Sequence, residues 1–278
     1  GSGFRAHHLY QRLSSKFNIN YDVVCNSLIN RRNEIYEYEG VEINKISYPI
    51  DFEKLHGLKR KFHAILSMFY EFYYSYKFIK KKGVKNYNLI HTFGNSWSIA
   101  FLTYYFYLKK KPILRELVNN MNTPYYPIQF ENFFRKVFQK NNTMMIAISK
   151  KLEELCKTNR VKNIWMRPNP INEKKFFLLN KKEKFKLRNK LIHFSNQDTI
   201  LTHIASFMRQ KNHIFILDIL KKLPQNFKLY LGGPVVNDEN RKNFELVKNR
   251  IKELNLNDRV VLTKGFIGNI DEYMKLSD

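Results

Sequence analysis

Short apolar runs alternate with helix-patterned stretches along most of this chain, and that alternation constrains the fold more than any other feature. Short strands separated by helices must pair through crossovers, so they imply parallel sheets with right-handed connections. The pattern predicts a helix over 5–17, strands over 21–25 and 41–47, and a long helix over 58–82. A strand over 88–91 and a helix from Ser96 follow. The next strand, 112–114, opens on Pro112, where a missing N–H costs least. A strand over 143–148 then leads to Ser149, a good N-cap for a helix over 150–156. A second series begins at Thr199: strand 199–205, helix 212–222, strand 227–231, helix 239–254 and strand 259–263. Between the series lies Arg167-Pro168-Asn169-Pro170, a rigid crossing. The expectation is an α/β protein of two Rossmann-like domains facing across a cleft. The first covers 1–172 and lacks its first strand; the second, 173–278, is incomplete.

Composition narrows the function. The 278 residues suffice for two ordinary domains, and 44% hydrophobic content excludes a disordered chain. Cys25 and Cys156 stand alone, without metal-type spacing, so no disulfide framework or zinc site is expected and a reducing cytosol fits. Lysine and arginine exceed the acids by 49 − 24 = 25 charges. Such a field attracts membranes, nucleic acids or phosphorylated substrates. AT-rich coding accounts for the lysines equally well, but the field acts either way. No apolar run reaches the roughly 18–20 residues that span a bilayer. The longest, 97–108, reads as a buried helix. No leader-type segment is legible, so the expected place is the cytoplasm or the inner face of its membrane. The chain lacks an initiator Met and its last helix pattern runs to Asp278, which suggests a piece of a longer protein. Gly1-Ser2-Gly3 as an added tag is the other reading.

Ligands of open parallel sheets bind beyond the carboxyl ends of the strands, so the residues after each strand matter most. Gly1-Ser2-Gly3, before a helix, would let backbone N–H groups approach a phosphate or sugar. His91, with Gly94 close by, would meet a sugar hydroxyl or simply bond a neighbouring carbonyl. Arg115 and Glu116 form either a cleft feature or a local ion pair. The stretch from Ala205 to His213 joins a strand to a helix and carries Arg209 and Lys211. Cations there would hold the charge of a departing diphosphate. A solvated basic loop is the bland alternative. Gly232 and Gly233 after the next strand would permit close ligand approach or make a tight turn. Gly265, Phe266 and Ile267 would read a nucleotide base through backbone groups.

Taken in order and spacing, these residues resemble the family-4, GT-B type glycosyltransferases over nearly the whole chain. The family's donor domain opens with a strand, then Gly-Arg, then Lys-Gly five residues after that Arg; here Ala205-Ser206 and Lys211-Asn212 occupy those places. Leu231-Gly232-Gly233, the run from Asp258 to Leu262 with Gly265, and the helix pattern from Tyr273 match its later elements. Ile146-Ala147-Ile148-Ser149 and Pro168-Asn169-Pro170-Ile171-Asn172, then Phe176, match the end of its acceptor domain. There are departures. Ser206 stands where the family carries an Arg that grips the diphosphate, with Arg209 as a stand-in. Arg115-Glu116-Leu117-Val118-Asn119 stands where a His is common. The paired glutamates would lie beyond Asp278, so this polypeptide alone is expected not to catalyse transfer.

The resemblance implies a nucleotide-sugar donor, retention of configuration, and a glycan or lipid-linked acceptor in cell-surface polysaccharide or glycolipid synthesis. It implies no cofactor and no metal, cations and helix dipoles serving instead. His91 and Lys211 would be catalytic. Ser206, Arg209, Lys211, Gly232, Gly265 and Phe266 would bind the donor; Gly1, Gly3, Arg115, Glu116 and Asn169 would bind the acceptor. Residues 58–82, aromatic between lysine clusters, would meet an anionic membrane surface or else pack on the sheet as a crossover helix. Rival readings are a basic nucleic-acid-binding protein and a GT-B sugar-nucleotide epimerase. Against the first, the charge is spread along the chain and no nucleic-acid motif is present.

Overall fold

The computed structural model describes residues 2–26, 31–51, 54–117, 122–125, 128–192, 194–195 and 197–278, with backbone alone for 2–5. It divides into two compact units, Gly1–Asn169 and Pro170–Asp278.

The first unit opens with α1 (Ser2–Phe17), β1 (Val23–Cys25), β2 (Glu34–Tyr38), β3 (Val41–Lys45) and α2 (Gly57–Lys82). It continues with β4 (Ile90–Phe93), α3 (Trp97–Leu108), β5 (Ile113–Leu117), α4 (Glu131–Val137), β6 (Thr143–Ala147), α5 (Lys150–Thr158) and β7 (Ile164–Met166). Strands β4-β5-β6-β7 form a wholly parallel sheet in sequence order. The core lies on this sheet: Ile113, Met145, Phe134, Phe138 and Cys156 are fully buried there. Ser96 caps α3 by accepting from the Ile99 N–H at 3.2 Å, and Ser149 caps α5 through Leu152 at 3.4 Å. Both caps satisfy a donor that the first helical turn leaves orphaned. Helix α3 is buried through Ala100, Leu102, Thr103 and Phe106, as its apolar run predicts.

The pairing of the first three strands departs from the sequence pattern. Strand β3 pairs parallel with β1 but antiparallel with β2, which the alternation of strands and helices does not announce. The turn between β2 and β3 is Glu39-Gly40, with φ of 49° and 76°. A two-residue hairpin needs positive φ at both central positions, and Gly40 supplies it without strain.

The second unit runs α6 (Lys181–Leu191), β8 (Thr199–Ile204), α7 (His213–Lys222), β9 (Phe227–Gly233), α8 (Asp238–Glu253), β10 (Val260–Lys264) and α9 (Ile270–Lys275). Its sheet is parallel, in the order β10-β9-β8. Leu217 and Leu220 of α7, Val247 and Ile251 of α8, and Leu229 and Leu231 of β9 share one core. Helix α6 begins with a capping box. Asn180 accepts from the Glu183 N–H at 2.9 Å while Glu183 accepts from the Asn180 N–H at 3.2 Å. On its buried side, Arg188 bonds the Leu276 carbonyl at 2.8 Å and the Asp278 carboxylate.

Candidate functional sites

In the second unit, β8 ends at Ile204 and the chain turns before α7. Phe207 is completely buried and plugs that turn into the core, against His213 and Phe244 at ring distances of 4.6 and 4.9 Å. Burying a phenylalanine contributes about 1.5–3 kcal/mol, enough to fix the path of a short turn. Beyond it the chain makes a tight turn over Arg209–Lys211, closed by the Lys211 N–H on the Met208 carbonyl at 2.9 Å. Asn212 then adopts left-handed geometry, φ 53° and ψ 41°, and α7 starts at the next residue. Asn tolerates that conformation better than most side chains. Arg209 and Lys211 therefore stand exposed at the amino end of a ten-residue helix, whose unpaired N–H groups favour an anion. Arg209 also lines a depression with Met208, Gln210, Asn212 and Glu239. Ser206 is half-buried just before.

Two histidines lie beneath this turn. His203 on β8 and His213 on α7 meet edge to face at 4.8 Å. Neither Nε2 has a hydrogen-bond partner among the described residues. Burial pushes the His213 imidazole down to about 4, helped by His203 and by the charge of Lys211. His203 is lowered too, by burial first and Lys211 second. Both rings are thus neutral at neutral pH. Between the ordinary value of 6.5 and about 4, the unfolded chain binds a proton at His213 that the folded chain refuses. Stability should therefore fall as pH drops through that window, by up to about 1.4 kcal/mol per pH unit from this group. Urea titrations at pH 7, 6 and 5 on wild type and His213→Phe check it; the variant should show the shallower slope.

The glycines of this unit have packing reasons. The sequence reading ends β9 at Leu231, but the strand continues, and Gly232 and Gly233 lie buried inside it. A Cβ on Gly233 would sit 1.8 Å from the Ala205 carbonyl oxygen, so the chain leaving β8 can pass only over a glycine. A Cβ on Gly232 would meet Ile267 Cδ1 at 2.4 Å, so its open side is filled by the protein itself. Gly265 differs. Its φ is +129°, and nothing lies within 4 Å of where a Cβ would be. Its N–H bonds the Gly233 carbonyl at 3.0 Å, and Phe266 beside it is 77% exposed.

In the first unit, β4 starts two residues later than the pattern suggests and runs on to Phe93, so His91 lies inside the strand rather than at its end. Its Nδ1 is 3.0 Å from the Tyr10 hydroxyl of α1, and its Nε2 is 3.8 Å from a Glu116 oxygen. Strand β5 likewise runs on to Leu117, which moves Arg115 and Glu116 from a strand tip into the strand, each 1% exposed. The pattern stopped at Leu114 because two charged residues rarely sit in a buried strand. Alternation sends them to opposite faces. Glu116 accepts from Arg167 Nη2 at 2.6 Å. Arg115 donates to the Asn95 amide oxygen at 3.1 Å and lies over the Phe134 ring at 4.7 Å. Burial lowers the Arg115 guanidinium to about 10, still charged at neutral pH. The Tyr10 phenol is raised to about 12, chiefly by burial.

A polar group of Tyr10, His91, Glu116 and Arg167 therefore gathers at this sheet, from His91 within β4 to Arg167 just past β7. Sequence reasoning missed Tyr10 and Arg167. Arg167 follows β7, a three-residue strand that the pattern does not announce, and itself reads as the start of the rigid crossing. Tyr10 gives no sequence signal at all. Asn169 is exposed shortly after β7. Gly3 lies inside the first turn of α1 rather than ahead of it, and Gly1 lies outside the described residues. Among the described residues, one group of metal-type donors gathers: His7, His8 and Glu39 have ligand atoms within 4.8 Å of one another. The 2.9 Å bond from His7 Nε2 to Glu39 accounts for that grouping.

Two parallel Rossmann-like sheets in separate units give the chain a GT-B fold. The comparisons with solved structures agree. Over 99% of its length the chain is similar to sucrose-phosphate synthase from Thermosynechococcus elongatus, at 16% identity and a TM-score of 0.69, spanning 67% of that chain. Over 86% it is similar to Anabaena HepE in complex with UDP and glucose, at 15% identity and a TM-score of 0.61, spanning 60% of that chain. Over 85% it is similar to a glycosyltransferase from Rickettsia africae, at 18% identity and a TM-score of 0.58, spanning 58% of that chain. The chain thus corresponds to about 54–60% of the length of HepE. No family model and no curated protein matches it.

Proposed function

We propose that this chain is part of a retaining glycosyltransferase that moves a hexose from a nucleotide-activated donor to a glycan or lipid-linked acceptor. Its setting in this reading is cell-surface polysaccharide or glycolipid synthesis at the inner face of a membrane. One observation carries the proposal: two exposed cations, Arg209 and Lys211, in the turn between β8 and the amino end of α7. The shared fold supports it, since the structure of HepE holds UDP and glucose. As the glycosidic bond breaks, charge accumulates on the departing diphosphate. Lys211 and the orphan N–H groups of α7 neutralise it, with Arg209 and Ser206 taking the remaining phosphate oxygens. The base stacks on Phe266 and meets the open backbone at Gly265, whose N–H bonds Gly233. In this scheme no metal is required. His91 faces the sugar or acceptor, held by Tyr10, with Glu116 and Arg167 as positioning residues. Gly3 and Asn169 frame the acceptor side, while Arg115, buried over Phe134, serves the core of this unit instead.

Calorimetry with UDP tests the reading. Lys211→Ala should weaken binding by about 1–3 kcal/mol, the range for losing a charged hydrogen bond. Unchanged affinity in a folded variant would remove Lys211 from the site.

A further inference from the structure

Helix α2 is built the wrong way round for a crossover helix. Its buried positions are Ser67, Glu71, Ser75 and Ile79, three of them polar. Glu71 is satisfied there: one oxygen accepts from the Ser98 N–H and hydroxyl at 2.9 and 3.1 Å, the other from Asn26 at 2.7 Å. The opposite face carries Leu58, Phe62, Ile65, Phe69, Tyr73 and Tyr76, between 46% and 83% exposed. Steps of four, three, four, four and three residues put these six on one stripe. At 1.5 Å per residue the stripe is about 27 Å long.

We infer that this stripe is a docking face for an anionic lipid surface, with α2 lying in the plane of the headgroups. An apolar stripe of this size on a helix needs an apolar layer to cover it, which nucleic acid does not offer. Exposed Lys59, Arg60 and Lys61 flank it at one end and Lys77, Lys80 and Lys81 at the other. Glu71, the one acid of the helix, is buried. The charge complement is therefore a negative surface. A second copy of this chain, itself carrying +25, would be repelled. No helix of the described residues is long and apolar enough to cross a membrane, so α2 rests on the surface rather than spanning it. This deepens the membrane setting of the proposed transferase. Vesicle binding needs no donor, so the two readings can fail separately.

Co-sedimentation of the full chain with vesicles of equimolar phosphatidylglycerol and phosphatidylcholine tests it, against phosphatidylcholine alone. Wild type should bind the anionic vesicles and release them at high salt. The double variant Phe62→Ser/Phe69→Ser should lose at least about tenfold in partitioning, since each ring buries on the order of a tenfold free energy. Each of Lys80→Glu and Lys81→Glu should lose about fivefold or more. Should the double variant fail to fold, Leu58→Glu at the most exposed end carries the same test. Equal partitioning to neutral vesicles, or an unaltered double variant, overturns the inference. So does a dimer in the ultracentrifuge that the double variant dissociates, which would give the face to a second copy.

Discussion

Glu116→Ala should destabilise the first unit by about 3–5 kcal/mol, the largest single-residue effect expected in this protein. The Glu116 side chain is fully buried and holds Arg167 at 2.6 Å, with the His91 ring 3.8 Å away. Deleting the carboxylate leaves a largely desolvated guanidinium without that anion and opens a small void in β5. Both effects add. Glu116→Gln keeps the shape and one acceptor, so it should lose less. The measurement is clean because the chain's two tryptophans, Trp97 and Trp165, both lie in the first unit. Their fluorescence during urea unfolding reports that unit alone, which matters in a chain of two units that need not unfold together. A loss below about 1 kcal/mol would mean that the ion pair is dispensable and the surrounding core alone holds β5.

Gly233→Ala should destabilise the second unit by about 3 kcal/mol, the upper end for overpacking. The added methyl would sit 1.8 Å from the Ala205 carbonyl oxygen and 2.5 Å from its carbon. Both are backbone atoms between paired strands, so no rotamer change relieves the clash. The strands must part, and the turn carrying Arg209 and Lys211 shifts with them. UDP affinity should fall together with stability, while the tryptophan transition of the first unit stays in place. Gly268→Ala is the control: nothing lies within 4 Å of its added carbon, so it should be close to neutral. A stable Gly233→Ala protein with normal UDP binding would show that β8 and β9 can separate at that point without consequence.

The alternation of strands and helices was legible because each parallel strand is a short apolar run covered by amphipathic helices. The ends of those strands were not, and the misses share a cause. At β5 the run stops being apolar at Arg115 although the strand continues, because Phe134, Asn95 and Arg167 supply from elsewhere what the two charges need. At β9 the glycines look like a turn, yet they continue the strand because the neighbouring chain passes too close for any other residue. Strand β2 was missed because its faces are largely exposed, so no apolar period marks it. The basic turn around Lys211 was legible from local spacing alone. The group around His91 was not, since Tyr10, Glu116 and Arg167 are separated by up to 157 residues and only the sheet brings them together. The stripe on α2 was visible as aromatic content, but the sequence alone does not say which face the helix turns inward. Glu71 decides that by finding partners at Ser98 on α3 and at Asn26 just past β1.

The bond from Arg188 to Asp278 joins residues 90 apart. Helix α6, which carries Arg188, leaves the ribosome well before its partner does. At the usual 5–20 residues per second, the guanidinium waits about 5–18 s for its carboxylate. During that interval α6 holds a cation that has no reason to enter the core, while β8 lacks the carboxylate that accepts from the Ile200 N–H at 2.9 Å. The contacts that join α6 to β8 through Asp278 should therefore form late during synthesis, with Arg188 without its carboxylate until residue 278 emerges.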